Sequence, residues 1–329
     1  MQIYKFHNIL KPVLWGGDKL LAFKHLPPCD EPIGESWELS ALPGRESVVA
    51  GGDDAGLTLT QLVGRYGPDL VGREVSDRYG GRFPLLIKLI DARRDLSVQV
   101  HPDDAMARRL HGCDGKNEMW YVLHADDGAQ IYTGFNRTLS PQEFDERLSD
   151  GTLLDVVNAV KSKPGDTFYI PAGQIHSIGA GNLLVEIQHS SDITYRVWDY
   201  NRRDAQGNLR QLHVEQAREA LDYGARQGLV QDRRRLAPGL TRLVDCPDFA
   251  VTLLELDGSY ALPNPGCHTF VALVCVQGDA VLEVAGMPAV TLRQGETALV
   301  PAIAARVDMS GSARMLLATV PIDHENFNS

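Results

Sequence analysis

The sequence has no apolar run approaching the ~18 residues that cross a bilayer, so membrane-spanning helices are not expected. Its opening segment, MQIYKFHNILKPVLWGG, lacks an apolar h-region and a cleavage site, and the expectation is a cytoplasmic chain. Cysteine is sparse. Cys29, Cys113, Cys246, Cys267 and Cys275 are odd in number and lack CxxC spacing. They read as reduced thiols, and a metal site built on cysteine is not expected. Positive charge is also short, since 32 Lys and Arg face 43 Asp and Glu, for a net charge of -11. Such a surface repels nucleic acid and anionic lipid. A phosphorylated ligand would need a local cluster of Lys and Arg.

What is present describes a β protein. The length of 329 residues allows about two domains, and 31 Gly with 18 Pro suit a chain rich in turns. Residues 57–80 carry a partly helical pattern. Strands are expected at 84–91, 96–101, 117–124 and 129–134, with a short helix near 104–111. Ser140 is placed to N-cap a helix running to Gly151, with Glu143 positioned for a capping box, and a second short helix is expected at 152–160. Residues 163–179 read as strand, turn, strand. Strands follow at 183–190 and 194–200, then a helix at 213–224. The polar, basic stretch 225–238 reads as a linker, and 240–320 as short β-runs separated by Gly258, Gly278, Gly286, Gly295 and Gly311. Residues 165–171 (GDTFYIP) and 295–301 (GETALVP) repeat one phrase. Only the first continues to a histidine, as Pro171-x-Gly173-x-x-His176, and Arg306 stands at the equivalent place in the second. Two related β-barrels follow, the first with a site and the second without.

The chemistry concentrates in the first half. In a strand over 96–101, Leu96, Val98 and Val100 share one face and Ser97, Gln99 and His101 the other. The neighbouring run PLLIKLID is apolar except for Lys88 and Asp91. Lys88 is either a snorkelling edge residue or a buried ammonium compensated by a partner or ligand. Glu118 sits among Met, Trp and Tyr, and His176 lies in a Pro/Gly turn. Gln99, His101, Glu118 and His176 together offer nitrogen and oxygen donors suited to a divalent transition metal, zinc first. A second cluster comprises Glu186, Arg196, Arg202 and Arg203. Arginine forks suit phosphate oxygens, although Arg202 and Arg203 also fit a solvated basic stretch.

The blocks GESWELSA (34–41), LIKLIDARRDLSVQVHPDD (86–104), GKNEMWYVL (115–123), KPGDTFYIPAGQIHSIG (163–179) and EIQHSSDITYRVWDYNRRD (186–204) resemble the signature of class I, zinc-dependent mannose-6-phosphate isomerases in their short bacterial form. The resemblance covers residues 1 to about 215, and QVHPDD together with GK-x-E-x-W-Y is its most specific part. It implies a mainly β fold of two cupin (jelly-roll) barrels, with a few helices inserted in and around the first. It implies one Zn2+ per chain on Gln99, His101, Glu118 and His176, a catalytic Arg196, and a substrate pocket lined by Lys88, Ser97, Lys116, Glu186 and Arg202. The chain departs from the general cupin pattern in its QVH, in the distant Glu118, and in Ala180 where an Asn is usual. The first two are normal for this family.

The expected organisation is a metal-binding catalytic domain over 1–235 and a degenerate cupin over 236–329. The expected reaction interconverts mannose 6-phosphate and fructose 6-phosphate through a metal-stabilised cis-enediol(ate), with Glu186 as base. The expected partner is a small sugar phosphate, and the chain a monomer or weak homodimer. The competing readings are a non-catalytic sugar-phosphate-binding bicupin and another metal-cupin enzyme.

Overall fold

The computed structural model describes residues 1–203, 206–264 and 268–322. Cys267 and Asp204 lie outside the described residues. The other four cysteines are free thiols. Three antiparallel sheets carry the fold. A six-stranded sheet orders its strands as Ile9–Gly17, Ile33–Leu39, Leu85–Ala92, Asn182–His189, Glu118–Ala125 and Thr167–Ile170. A five-stranded sheet runs Tyr195–Trp198, Val98–Val100, His176–Ile178, Gln130–Phe135 and Val157–Lys161. These two face each other as the first barrel, and Ile90, Trp120, Val122, Ile131, Phe168 and Ile178 fill the space between them.

The Leu85–Ala92 and Asn182–His189 strands are buried along their whole length. Their outward residues, Leu85, Ile87, Leu89, Val185 and Ile187, need cover as much as the inward ones. Each such side chain contributes about 1.5–3 kcal/mol when withdrawn from water. The cover comes from short helices, through Leu20, Leu62, Leu70 and Val75, and from one face of the C-terminal barrel, through Val251, Leu253, Val274 and Leu316. Helices Lys19–Phe23, Leu59–Tyr66, Pro68–Val71 and Arg73–Tyr79 supply that layer. The far side of the five-stranded sheet is covered by helices Asp104–His111, Pro141–Ser149 and Val214–Ala220.

The C-terminal barrel is an eight-stranded sheet that also takes in Tyr4–Lys5 at one edge and Arg234–Ala237 at the other. Its interior is packed with Leu254, Leu273, Leu282, Leu292, Met309 and Met315. Arg306, at the place of the first barrel's histidine, is exposed and pairs with Asp308. The repeated phrase takes one local form in both barrels. Gly165 (φ 91) and Gly295 (φ 79) each make a left-handed turn before a four-residue strand.

Several local expectations are corrected. The glycine spacing predicts short β-runs over 240–320, whereas the structure has three long strands, Ala250–Pro263, Val271–Glu283 and Arg306–Thr319. Gly258, Gly278 and Gly311 lie inside these strands at positive φ. A side chain at Gly278 would meet the carbonyl of Ser312 at 2.1 Å. These glycines bend strands through a barrel corner rather than end them. The helix expected at 152–160 is one 3-10 turn, Leu153–Val156, followed by the Val157–Lys161 strand, whose alternating burial suits β pairing with Gln130–Phe135. The linker over 225–238 contains the Arg234–Ala237 edge strand. Ser140 caps its helix by accepting from Glu143 N–H, but the reciprocal half of the box is missing because the Glu143 carboxylate is held by Arg137.

One buried ion pair fastens the two barrels. Lys24 donates to Glu38 (2.6 Å) and to the carbonyl of Gly295 in the C-terminal barrel, and Ser36 donates to the same carboxylate. Breaking a buried pair strands a charge. Lys24→Met is expected to cost about 3–5 kcal/mol in denaturant unfolding. The double change Lys24→Met/Glu38→Leu is expected to cost clearly less. Equal losses would show that the pair itself, rather than the stranded carboxylate, sets the cost.

Candidate active site

Register places the functional side chains. In the six-stranded sheet, Trp37, Lys88, Glu186 and Trp120 are successive cross-strand neighbours, and Glu118 lies two residues along the strand from Trp120 on the same face. In the five-stranded sheet, Arg196 pairs with Gln99 and Gln99 with His176. The two rows face each other across the barrel. A one-residue slip of any of these strands would turn its member away.

His101, Glu118 and His176 are wholly buried, and their potential ligand atoms all lie within 4.8 Å of one another. His101 Nδ1–H donates to the carbonyl of Ile193 and His176 Nδ1–H to that of Gln174, each at 2.8 Å. Those bonds fix the tautomer and leave both Nε2 atoms as bare lone pairs. The two lone pairs are 3.1 Å apart. Glu118 Oε1 is 3.3 Å from His176 Nε2 and Oε2 is 3.4 Å from His101 Nε2. Burial, together with neighbouring positive charge, pushes His176 down to about 3, and burial with Lys116 lowers His101. Both rings are therefore neutral at pH 7. Burial acts to raise the Glu118 pKa, but the neighbouring Lys116 ammonium outweighs it and holds it well below the usual carboxylate range.

Two lone pairs and a carboxylate facing one another repel unless a cation lies among them. Lys116 supplies part of that need, with Nζ 3.0 Å from His101 Nε2 and 2.7 Å from Glu118 Oε2. The second contact is off the hydrogen-bond axis, so neither Glu118 oxygen accepts a hydrogen bond and the contact counts as charge pairing alone. Half-buried Gln99 has its amide 3.2 Å from His176 Nε2, and the same amide turned over would present oxygen. This donor set fits a divalent metal, and the backbone-anchored imidazoles are the usual support of one.

The set borders a cavity of about 300 Å³ lined by Lys88, Ser97, Gln99, Lys116, Glu186 and Arg196, with Trp15, Glu35, Asp192, Thr194 and Arg210 among the other walls. Lys88 is buried and donates to Glu186 Oε1 at 2.9 Å, while Trp120 Nε1–H donates to Oε2 at 2.9 Å. Burial acts to lower the Lys88 pKa, but Glu186, then Glu35 and Asp192, outweigh it and raise it, so the ammonium stays charged. Arg196 donates to the carbonyl of Gln211 and leaves its buried Nε without a partner among the described residues. Arg202 is not on the cavity wall. It is held by Asp199 and by the carbonyl of Asp95. Arg203 is exposed and turned to the carbonyl of Gly207.

Residues 3–129 match the family model of the phosphomannose isomerase type I catalytic domain, and residues 240–320 that of the mannose-6-phosphate isomerase cupin domain. The chain is 33% identical to mannose-6-phosphate isomerase ManA of Bacillus subtilis over 95% of its own length and 97% of that protein's. The chain belongs to the type I mannose-6-phosphate isomerase family. It is also 36% identical to the mannose-6-phosphate isomerase of Streptococcus mutans, over 88% of this chain and 89% of the relative. The crystal structure of the mannose 6-phosphate isomerase from Bacillus subtilis superposes with a TM-score of 0.88 at 29% identity, covering 97% of this chain and 99% of that one. The two-cupin fold follows.

Sequence alone gives no role to Trp120, Glu35, Asp192 or Arg210. Trp120 was legible as part of GK-x-E-x-W-Y, but only register shows that its indole reaches Glu186. His101→Ala and His176→Ala are each expected to reduce bound metal from near one per chain to a small fraction, read by elemental analysis after dialysis. Trp120→Phe, which removes only the indole donor, is expected to keep it.

Proposed function

We propose that the chain interconverts mannose 6-phosphate and fructose 6-phosphate, with one Zn2+ held by Gln99, His101, Glu118 and His176. The observation that carries this reading is a buried, backbone-oriented His-His-Glu set whose contacts Gln99 and Lys116 line a cavity that also holds a buried Lys–Glu pair and two arginines. Nitrogen and oxygen donors without sulfur suit zinc among the biological divalent ions. A zinc ion bound there would act as a Lewis acid, polarising a substrate carbonyl.

The isomerisation moves a proton between C1 and C2 of an open-chain sugar through a cis-enediol(ate). Glu186 is the proposed base. Lys88 and Trp120 fix its two oxygens in the barrel and leave its second lone pairs for the C–H proton. Arg196 would offset negative charge that develops on the substrate. Ser97 and Lys116, on the cavity wall, would contact hydroxyls. Trp15, Ile90, Leu96 and Ile178 supply the apolar part of the wall.

Residues 1–235 are proposed as the catalytic unit and 236–329 as a degenerate cupin, in keeping with the apolar interior of the latter. No helix among the described residues is long and apolar enough to cross a membrane, and a cytoplasmic monomer or weak homodimer is proposed. A binding-only bicupin has no use for a proton-moving carboxylate fixed beside the metal set, and an oxygenase has no use for the arginines.

A coupled assay for fructose 6-phosphate is expected to show activity that chelation abolishes and added zinc restores. Metal-loaded, folded protein without turnover would overturn the reading. Glu186→Gln is expected to lower kcat by about 10²–10⁴-fold with zinc retained. Near-normal turnover would remove Glu186 as the base.

A further inference from the structure

The acids and bases on the cavity wall are matched, except at one end. Lys88 pairs with Glu186, Lys116 with Glu118, and Arg45 with Asp192. Glu35 accepts from the Trp37 indole and faces Lys11, whose ammonium rests 3.2 Å from the centre of that ring. At the remaining end stand Arg196 and Arg210, both on the wall, with Arg202 behind them. The buried carboxylate of Asp199 is shared by two of the three. Arg210 Nε donates to its Oδ2 at 2.6 Å and Arg202 Nε to its Oδ1 at 3.1 Å. Arg196 has no carboxylate partner among the described residues. Three guanidiniums against one carboxylate leave two positive charges, which matches a phosphate monoester near its dianionic form.

We propose that Arg210 is a specificity residue that takes the phosphate of the sugar phosphate alongside Arg196, with Asp199 as its positioning residue and Arg202 as a brace. The inference rests on the isomerase reading of this cavity and assigns its phosphate end. The geometry separates Arg210, to which sequence alone gives no role, from Arg202, which the family resemblance places in the pocket. Arg202 spends its fork on Asp199 and the Asp95 carbonyl, its Cζ 5.2 Å from the centre of the Tyr200 ring. Tyr200 (φ 55) and Asn201 (φ 52) are left-handed, an uncommon conformation outside glycine that makes the tight turn directing Arg202 inward. Arg210 also gives Nε and Nη2 to Asp199, but its Nη1 makes no hydrogen bond among the described residues, and the side chain is only about a third exposed (31%) and lines the cavity. Asp199 holds that fork without neutralising the cluster. A bidentate fork discriminates a phosphate from a sugar hydroxyl more sharply than a lone ammonium does.

The test uses the zinc-loaded full chain. Wild type, Arg210→Gln, Arg210→Lys and Asp199→Asn are titrated calorimetrically with inorganic phosphate and assayed with mannose 6-phosphate, and folding is checked by thermal melting. Arg210→Gln is expected to weaken phosphate binding and raise KM by about ten- to hundredfold, with kcat within about threefold. Arg210→Lys should recover part of the loss. Asp199→Asn should raise KM in the same direction, and Asp199→Asn/Arg210→Gln should be no worse than Arg210→Gln alone, as for residues acting through one contact. Unchanged KM and phosphate affinity in folded Arg210→Gln would overturn the inference while leaving the isomerase reading intact. So would a fall in kcat alone, or a wild type that binds no phosphate at millimolar concentration. If the wild type binds phosphate through Arg210 but does not turn over mannose 6-phosphate, the anion site stands and the isomerase reading falls.

Discussion

Two imidazole lone pairs held 3.1 Å apart beside an unbonded carboxylate constitute the constraint around which the first barrel is organised. Buried groups of this kind repel unless a cation joins them, and a protein tolerates the arrangement only where surrounding bonds leave no alternative. Here the alternatives are closed by backbone. Each histidine spends its other nitrogen on a main-chain carbonyl, and Glu118 is fixed at the start of a strand paired on both sides. Rotation of either ring would break a buried hydrogen bond and orphan a carbonyl, at about 1–3 kcal/mol. The strain at the donor set is therefore carried by two sheets.

The same register that sets the donors also sets the electrostatics. Lys88 and Glu186 are direct cross-strand partners, so an ammonium inside an apolar strand meets its carboxylate without any loop having to place it. The chain as a whole carries -11, a field that disfavours an anionic ligand at long range. Inside the cavity local pairing cancels most charge, and the surplus is positive at one end only. An anion bound there would meet, within a few ångströms, guanidiniums that outnumber their one carboxylate, where screening by salt is weak.

Much of this was legible before the structure. The alternation of Ser97, Gln99 and His101 against Leu96, Val98 and Val100 gives a strand with one functional face, and the motif order points to the family and hence to the cupin fold. His101, Glu118 and His176 gather, with the Gln99 amide beside His176. What sequence could not show is convergence, because Glu118 and His176 are far apart in the chain and meet only through pairing on different sheets. Nor could it bring Arg210 to the pocket in place of Arg202, since the difference lies in which guanidinium Asp199 and a backbone carbonyl together occupy. The glycines of the second barrel misled for a related reason. Gly258, Gly278 and Gly311 satisfy positive φ inside long bent strands, and local composition does not distinguish a corner from a turn.

The second barrel has a physical role even though the only metal-ligating cluster among the described residues lies in the first. The six-stranded sheet that carries Lys88, Glu118 and Glu186 is apolar on its outer face, and that face cannot be left to water. Short helices cover part of it, and Val251, Leu253, Val274 and Leu316 of the second barrel cover more. The Lys24–Glu38 pair ties the covering layer to the Gly295 turn, the counterpart of the Gly165 turn that leads into the His176 motif. A duplicated barrel that lost its donors would keep the one feature this arrangement needs, a complementary apolar face. Its interior could then fill with Leu, Val and Met, gaining the stability that a polar metal cavity costs the first barrel.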